Sequence, residues 1–127
     1  ICASKEASDE NYDAAVAYMM EHLDRMSIFA GTHNELSTFK LMELMEKKGV
    51  KSNDNRIWFG QLYGMSDNIS YNLAENGFNV AKYLPFGPVK DVMPYLIRRA
   101  EENTSVAGQT SRELSMIKAE RKRRKEK

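Results

Sequence analysis

Tyr95, Arg98, Arg99 and Glu102 stand at i, i+3, i+4 and i+7. At roughly 100° per residue they share one helical face, about opposite an apolar stripe of Val89, Val92, Met93, Leu96, Ile97 and Ala100. Two neighbouring guanidiniums can hold a carboxylate bidentately, and a tyrosine beside them adds a flat wall and a hydroxyl. The same spacing also describes a solvated helix with an Arg98–Glu102 ion pair worth ~0.2–0.5 kcal/mol. The residue types alone leave both readings open.

Other reactive residues point to less. His33 suits a base, a ligand or a satisfied histidine. With His22 on an outer helix and Cys2 the only cysteine, no zinc ligand set forms, since zinc takes three or four clustered ligands. Cys2 has no base to activate it and no partner for a disulfide. Gly60, Gly64 and Gly87 make neither a dinucleotide fingerprint nor a phosphate loop. Gly87-Pro88 opens a helix that could greet an anion, though a plain helix start explains it as well. Arg121 to Lys125 is a basic run, read more simply as a charged terminus than as a nucleic-acid or lipid contact. No nucleic-acid partner is expected.

Elements must position these groups, and their order is regular. Apolar runs at Ile1-Cys2-Ala3, Ile28-Phe29-Ala30, Arg56 to Leu62 and Phe78 to Leu84 read as strands, the third buried on both faces. A helix follows each. The first is capped by Ser8 or Asp9, with Tyr12, Ala15, Val16, Met19, Met20 and Leu23 on one face. The second is capped by Asn34, with a stripe of Leu36, Phe39, Met42 and Met45, and is closed by Lys47, Lys48 and Gly49. The third runs from Ser66 or Asp67 to Asn76-Gly77. The fourth starts at Pro88. Ser111 to Lys127 reads as a further charged helix.

Alternating strands and helices imply a parallel α/β sheet with right-handed crossovers. That sheet is either doubly wound or a slice of a (βα)8 barrel. A complete barrel needs ~250 residues, so these 127 amount to about half. In both folds ligands bind beyond the carboxyl ends of the strands. There lie Ser4-Lys5, Thr32-His33-Asn34, Gln61 to Met65, and Tyr83 to Gly87. The 19 basic and 18 acidic residues leave a net charge of +1, which selects no class of partner. No apolar run reaches the ~20 residues of a membrane span, and no signal peptide is visible. The chain opens at Ile1 in mid-pattern, so a segment upstream is expected.

Four stretches, in order, resemble the C-terminal half of the flavin-dependent proline dehydrogenase family. They are Gly31-Thr32-His33-Asn34, Phe59-Gly60-Gln61-Leu62-Tyr63-Gly64-Met65, Tyr83-Leu84-Pro85-Phe86-Gly87-Pro88, and Pro94 through Asn103. Lys5 to Tyr12 fits as well. The resemblance implies a distorted (βα)8 barrel with FAD at its strand carboxyl ends. Residues 1–105 would span from about the end of strand 5 through helix 8, and 106–127 would form a basic helical tail. It places the last helix over the barrel mouth, which gives the Tyr95/Arg98/Arg99/Glu102 face a destination.

By the same resemblance, Arg98 and Arg99 clamp the proline carboxylate. Tyr83, Tyr95 and Leu62 wall the substrate ring. FAD is touched by Thr32, His33, Asn34, Gln61, Leu62, Tyr83, Arg99, Glu102 and Ser105, and by the Ser4-Lys5 loop through its backbone. No residue is assigned a catalytic proton transfer and no metal is implied. The implied reaction moves a hydride from C5 of L-proline to the flavin and yields Δ1-pyrroline-5-carboxylate. Electrons pass on to a membrane quinone, and pyrroline-5-carboxylate dehydrogenase is the implied partner for the product. A tyrosine at position 83 favours proline over hydroxyproline. The expected setting is bacterial cytoplasm with peripheral membrane contact, a mitochondrial one staying open. This chain alone is expected to be inactive. Hydroxyproline dehydrogenase, a half-barrel that self-associates through its open sheet edge, and a basic interaction module over 118–127 remain as alternatives.

Overall fold

Ser4 has extended backbone (φ −147°, ψ 172°), and its hydroxyl accepts a hydrogen bond from the Ala7 amide at 3.2 Å. It therefore caps the first helix, α1 (Lys5–Glu21), about a turn earlier than Ser8 or Asp9 would. This corrects the expected strand at Ile1-Cys2-Ala3: Cys2 and Ala3 are irregular chain leading into the cap. The computed structural model describes residues 2–105, 115, 118, 121 and 122; the side chains at 100 and 102–105 are outside that description. The expected tail helix thus lies largely outside the described residues.

Two further helices and three strands follow α1 in unbroken alternation: β1 (Ile28–Gly31), α2 (Glu35–Lys47), β2 (Ile57–Leu62), α3 (Asp67–Glu75) and β3 (Val80–Tyr83). The strands form a parallel sheet in the order β1-β2-β3. Asn34 caps α2 as expected, its Oδ1 accepting from the Leu36 amide at 3.0 Å. Gly49 ends it in left-handed backbone at φ 64°. The core gathers Val16, Met20 and Leu23 from α1 and its end, Ile28, Ala30, Ile57 and Phe59 from the sheet, Leu41 and Met45 from α2, and Ile69 and Leu73 from α3.

Burial qualifies one expectation and overturns another. Within these residues the face of β2 away from the helices is only partly covered, with Gly60 buried beside the Phe29 ring and Leu62 half-buried. Ile57, Phe59 and Gln61 are buried against the helices, while Trp58 is 40% exposed on the other side. In α2 the inward residues are Ser37, Thr38, Leu41 and Met45, whereas Leu36 and Phe39 face outward at 77% and 60% exposure. A hydroxyl can sit inside a helix interface because the helix itself satisfies it: Thr38 Oγ1 donates to the Asn34 carbonyl at 2.9 Å.

The amino ends of the strands are tied by one carboxylate. Asp54 takes two bonds from the Arg56 guanidinium (2.6 and 2.9 Å) and one from its amide (3.0 Å). Arg56 Nη1 reaches the Leu23 carbonyl at 3.1 Å, and Asn79 Nδ2 donates to the carbonyls of Asp54 and Ile57. The bonds from Arg56 hold the Asp54 carboxyl down at about 2. A depressed carboxylate stabilises the fold above its unfolded value, near 3.8, and that contribution is lost as pH falls towards about 2. Asp54→Asn should therefore cost about 1 kcal/mol at neutral pH, the modest figure reflecting the solvent near this pair. The difference should shrink between about pH 4 and pH 2. Urea unfolding of both proteins across that range checks it; a constant difference would contradict the assignment.

Residues from Leu84 onward form a second unit. Its helix α4 (Val89–Ser105) carries Pro94 in its interior. Proline has no N–H for the i−4 carbonyl, so the Lys90 carbonyl loses that intrahelical bond. The apolar stripe is open, with Val89, Met93, Leu96 and Ile97 all exposed.

Candidate cofactor and substrate site

The carboxyl ends of the three strands lie along one edge of the first unit, where the loops after β1 and β2 form a rim. After β1, Thr32 and Asn34 are spent on the turn itself. Thr32 Oγ1 accepts from the Asn34 amide at 3.0 Å, and Asn34 caps α2. His33, between them, is half-buried, and its Nδ1 lies 2.8 Å from Ser66 Oγ.

Gln61 belongs to β2 rather than to the loop behind it. It is 3% exposed and turned toward the helices, where its Oε1 accepts from Ser70 Oγ at 2.9 Å and its Nε2 makes a long 3.5 Å approach to the Thr32 carbonyl. Its side chain braces the rim from below.

Leu62 and Tyr83 are paired in the register at the ends of β2 and β3, and alternation puts both on the helix-free face of the sheet. Tyr83 is 56% exposed there. Behind them runs a row of small residues, Gly31, Gly60 and Ala81, one from each strand. A Cβ at Gly60 would come within 2.3 Å of the Phe29 ring, so only glycine leaves room for that ring over β2. The outcome is an aromatic and aliphatic surface bordered by polar loops.

The loop after β2 is held from three sides. Lys82 Nζ donates to the Met65 carbonyl (2.6 Å) and to Asp67 Oδ1 (2.8 Å). Asn68 Nδ2 donates to Glu35 Oε1 at 2.9 Å, joining the first turns of α2 and α3. His33 meets Ser66. Ser66, Ser70 and Lys82 were not singled out by sequence reasoning. Ser66 reads only as a possible helix start, and its local sequence carries no signal that sets it apart from the capping Ser4 and Asn34.

On α4, within the second unit, the Arg99 guanidinium lies over the Tyr95 ring, 5.6 Å from its centroid. Arg99 and Tyr95 are half-buried and Arg98 is exposed. Glu102 and Ser105 occur in the last turns of the helix, but their side chains fall outside the described residues. Ser4 and Lys5 are placed away from loop geometry. Ser4 is a cap, and Lys5 Nζ pairs with Asp9 along α1 at 2.5 Å. Among the described residues, no cluster of three His, Cys, Asp or Glu could hold a metal.

Comparison with known proteins decides the lineage. The sequence model of the proline dehydrogenase family matches residues 1–112. The chain belongs to the proline dehydrogenase family. It is 42% identical over 122 residues to the carbapenem antibiotics biosynthesis protein CarD of Pectobacterium carotovorum subsp. carotovorum, a match covering 96% of this chain and 31% of that protein. It is 40% identical over 122 residues to the mitochondrial proline dehydrogenase 1 of Bos taurus, covering 94% of this chain and 21% of that one. A crystal structure of proline utilization A (PutA) from Bdellovibrio bacteriovorus inactivated by N-propargylglycine superposes with a TM-score of 0.74 at 29% identity. That match takes in 82% of this chain and 11% of the larger one. The chain thus spans less than a third of the length of these relatives. The expectation of part of a distorted (βα)8 barrel holds, and the alternative of an open doubly wound sheet falls away. The described part of that proline dehydrogenase barrel segment contains three parallel strands, not four.

Proposed function

We propose that this chain supplies part of the flavin rim and the substrate-carboxylate clamp of an FAD-dependent proline dehydrogenase. The observation that carries the reading is the Leu62–Tyr83 pair at the carboxyl end of the helix-free sheet face, beside a rim loop whose histidine is held at Nδ1. The residues present suit a flavin. The Phe29 ring over Gly60, with Leu62 and Tyr83 on the same face, offers an aromatic and aliphatic surface against which a planar ring system could pack, with polar loops at its edge. Thr32 and Asn34 use their side chains locally, so backbone groups of this loop and the His33 ring are the ones that would hold FAD. Leu62, Tyr83, Gln61 (as a brace), Arg99, Glu102 and Ser105 complete the proposed set, with Ser4 and Lys5 contributing backbone at most.

FAD, when bound, supplies the two-electron acceptor for oxidation of the proline ring. The chain's own residues do the positioning. Arg98 and Arg99 fix the carboxylate and thereby where C5 lies. Tyr95 stacked under Arg99 stiffens one arm of that clamp. Tyr83 and Leu62 exclude water from the ring and feel its substituents. The product is Δ1-pyrroline-5-carboxylate. Electrons would leave to a membrane quinone, and a pyrroline-5-carboxylate dehydrogenase would take the product. Contact with the quinone's membrane is proposed as peripheral, in bacterial cytoplasm or in a mitochondrion; among the described residues no helix is long and apolar enough to cross a membrane. Without the rest of a barrel, the 127-residue chain is inactive on this reading. Self-association through its sheet edge and action through the basic tail are the competing readings.

The test uses the protein that carries this chain, purified with whatever it binds. It should show flavin absorbance and reduce a dye when given L-proline; absence of flavin overturns the reading. Tyr83→Ser should lower proline turnover about ten-fold or more while sparing hydroxyproline turnover, the scale of one side-chain contact in substrate discrimination. Equal losses on both substrates would remove Tyr83 as the discriminator.

A further inference from the structure

Ser66 is the one described non-glycine residue in left-handed backbone, at φ 51° and ψ 42°. A side chain disfavours that conformation, so it persists only where surrounding contacts enforce it. Here they do. Lys82 holds the Met65 carbonyl and Asp67 on either side of Ser66, and Asn68 is tied to Glu35. Ser66 also stands at the N-cap of α3 without performing the usual duty of a serine there, since its side chain makes no capping bond. Its hydroxyl instead meets His33 Nδ1 at 2.8 Å, across 33 residues of chain, and the residue is 1% exposed. The turn gives up a helix cap and adopts an unfavourable conformation, and what it gains is a grip on one imidazole.

We propose that Ser66 is a positioning residue that holds the His33 ring in a single orientation at the cofactor rim. The inference rests on the reading of His33 as a flavin contact. A hydroxyl both donates and accepts, so it can stay bonded to Nδ1 whichever tautomer the ring adopts. Its job is therefore to aim the ring. A purely structural serine at this left-handed position would be replaced at no loss by glycine, which suits such backbone. That contrast makes the proposal testable.

Ser66→Gly in the 15N-histidine-labelled protein that carries this chain should keep or raise Tm while the His33 ring nitrogen shifts move away from their wild-type values. The His22 signals, from a ring stacked on Tyr18, should stay where they are. Ser66→Ala should release His33 in the same way at a lower Tm. In the flavin-loaded protein, Ser66→Gly should weaken FAD binding roughly three- to ten-fold, the scale of one hydrogen bond. Unchanged His33 signals in Ser66→Gly overturn the proposal, as does a wild-type His33 that already reads as a free imidazole. Released His33 signals with unchanged FAD affinity overturn the positioning role and remove His33 from the flavin contacts. Failure of the wild-type protein to bind FAD overturns the flavoprotein reading instead, and the two failures are separable because the nitrogen shifts do not depend on flavin.

Discussion

Arg98→Met, in the protein that carries this chain, is expected to raise KM for proline a hundred-fold or more while flavin absorbance and Tm stay near wild type. The size follows from the chemistry of the clamp. Two guanidiniums on successive residues of α4 can each give a carboxylate two parallel N–H donors. Removing one partner of a desolvated charge pair typically costs ~2–5 kcal/mol, or about 30- to several thousand-fold in affinity. Methionine keeps the unbranched stem and the helix propensity of arginine, so the variant isolates the charge. Arg98 suits this experiment better than Arg99. Arg98 is exposed, whereas Arg99 is half-buried, stacks on Tyr95 and is assigned to both substrate and flavin. An effect on KM well above that on kcat would show that the lost contact is made in the ground state as well as in the transition state. A KM within two-fold of wild type would remove Arg98 from the clamp.

The Tyr95, Arg98 and Arg99 face proposed as a clamp was legible in the sequence because it is local. Tyr95, Arg98 and Arg99 meet through the 3.6-residue repeat of one helix, and that repeat needs no knowledge of the fold. The strand–helix alternation was legible for the same reason. Asn34, Gly49 and Gly77 punctuate the chain through near-neighbour bonds and positive φ angles. Where the reading failed, a hydroxyl was usually at work. Ser4 was passed over as a cap because the apolar Ile1-Cys2-Ala3 suggested a strand. Ser37 and Thr38 displaced Leu36 and Phe39 from the inner face of α2, since an α-helix can satisfy buried hydroxyls with its own carbonyls. Counting apolar residues by period cannot register that exchange.

The rim is a different case. His33 with Ser66, Glu35 with Asn68, and Lys82 with Met65 and Asp67 join residues 15 to 33 positions apart. Each pair exists only because parallel strands bring successive loops to one edge. The sequence pattern located that edge but could not pair the residues along it. Gln61 shows the same limit. The motif placed it at the site, and strand alternation turned its side chain to the helix side, where Ser70 takes it up.

Phe59→Ala should cost about 3–5 kcal/mol, the range for deleting a buried phenylalanine and leaving its cavity. Phe59 is fully buried in the central strand and packs edge-on against Phe78, with centroids 5.6 Å apart and rings at 84°. Ala30 and Val80 flank it in the register, and its amide donates to the Asn79 carbonyl at 2.9 Å. Domains are stable by only ~5–15 kcal/mol, so this loss takes a large fraction of the total. The consequence reaches the site directly. Gly60, Gln61 and Leu62 are the next three residues of the same strand, and they hold their places only while Phe59 anchors β2 to the helices. Flavin retention should therefore fall along with the urea midpoint. Trp58→Ala is the control. Trp58 is adjacent in sequence but opposite in face, 40% exposed, with Nε1 bonded to the Asn55 carbonyl at 3.1 Å. It should cost far less than Phe59→Ala. Equal costs at 58 and 59 in this chain would contradict the difference in burial between the two faces of β2.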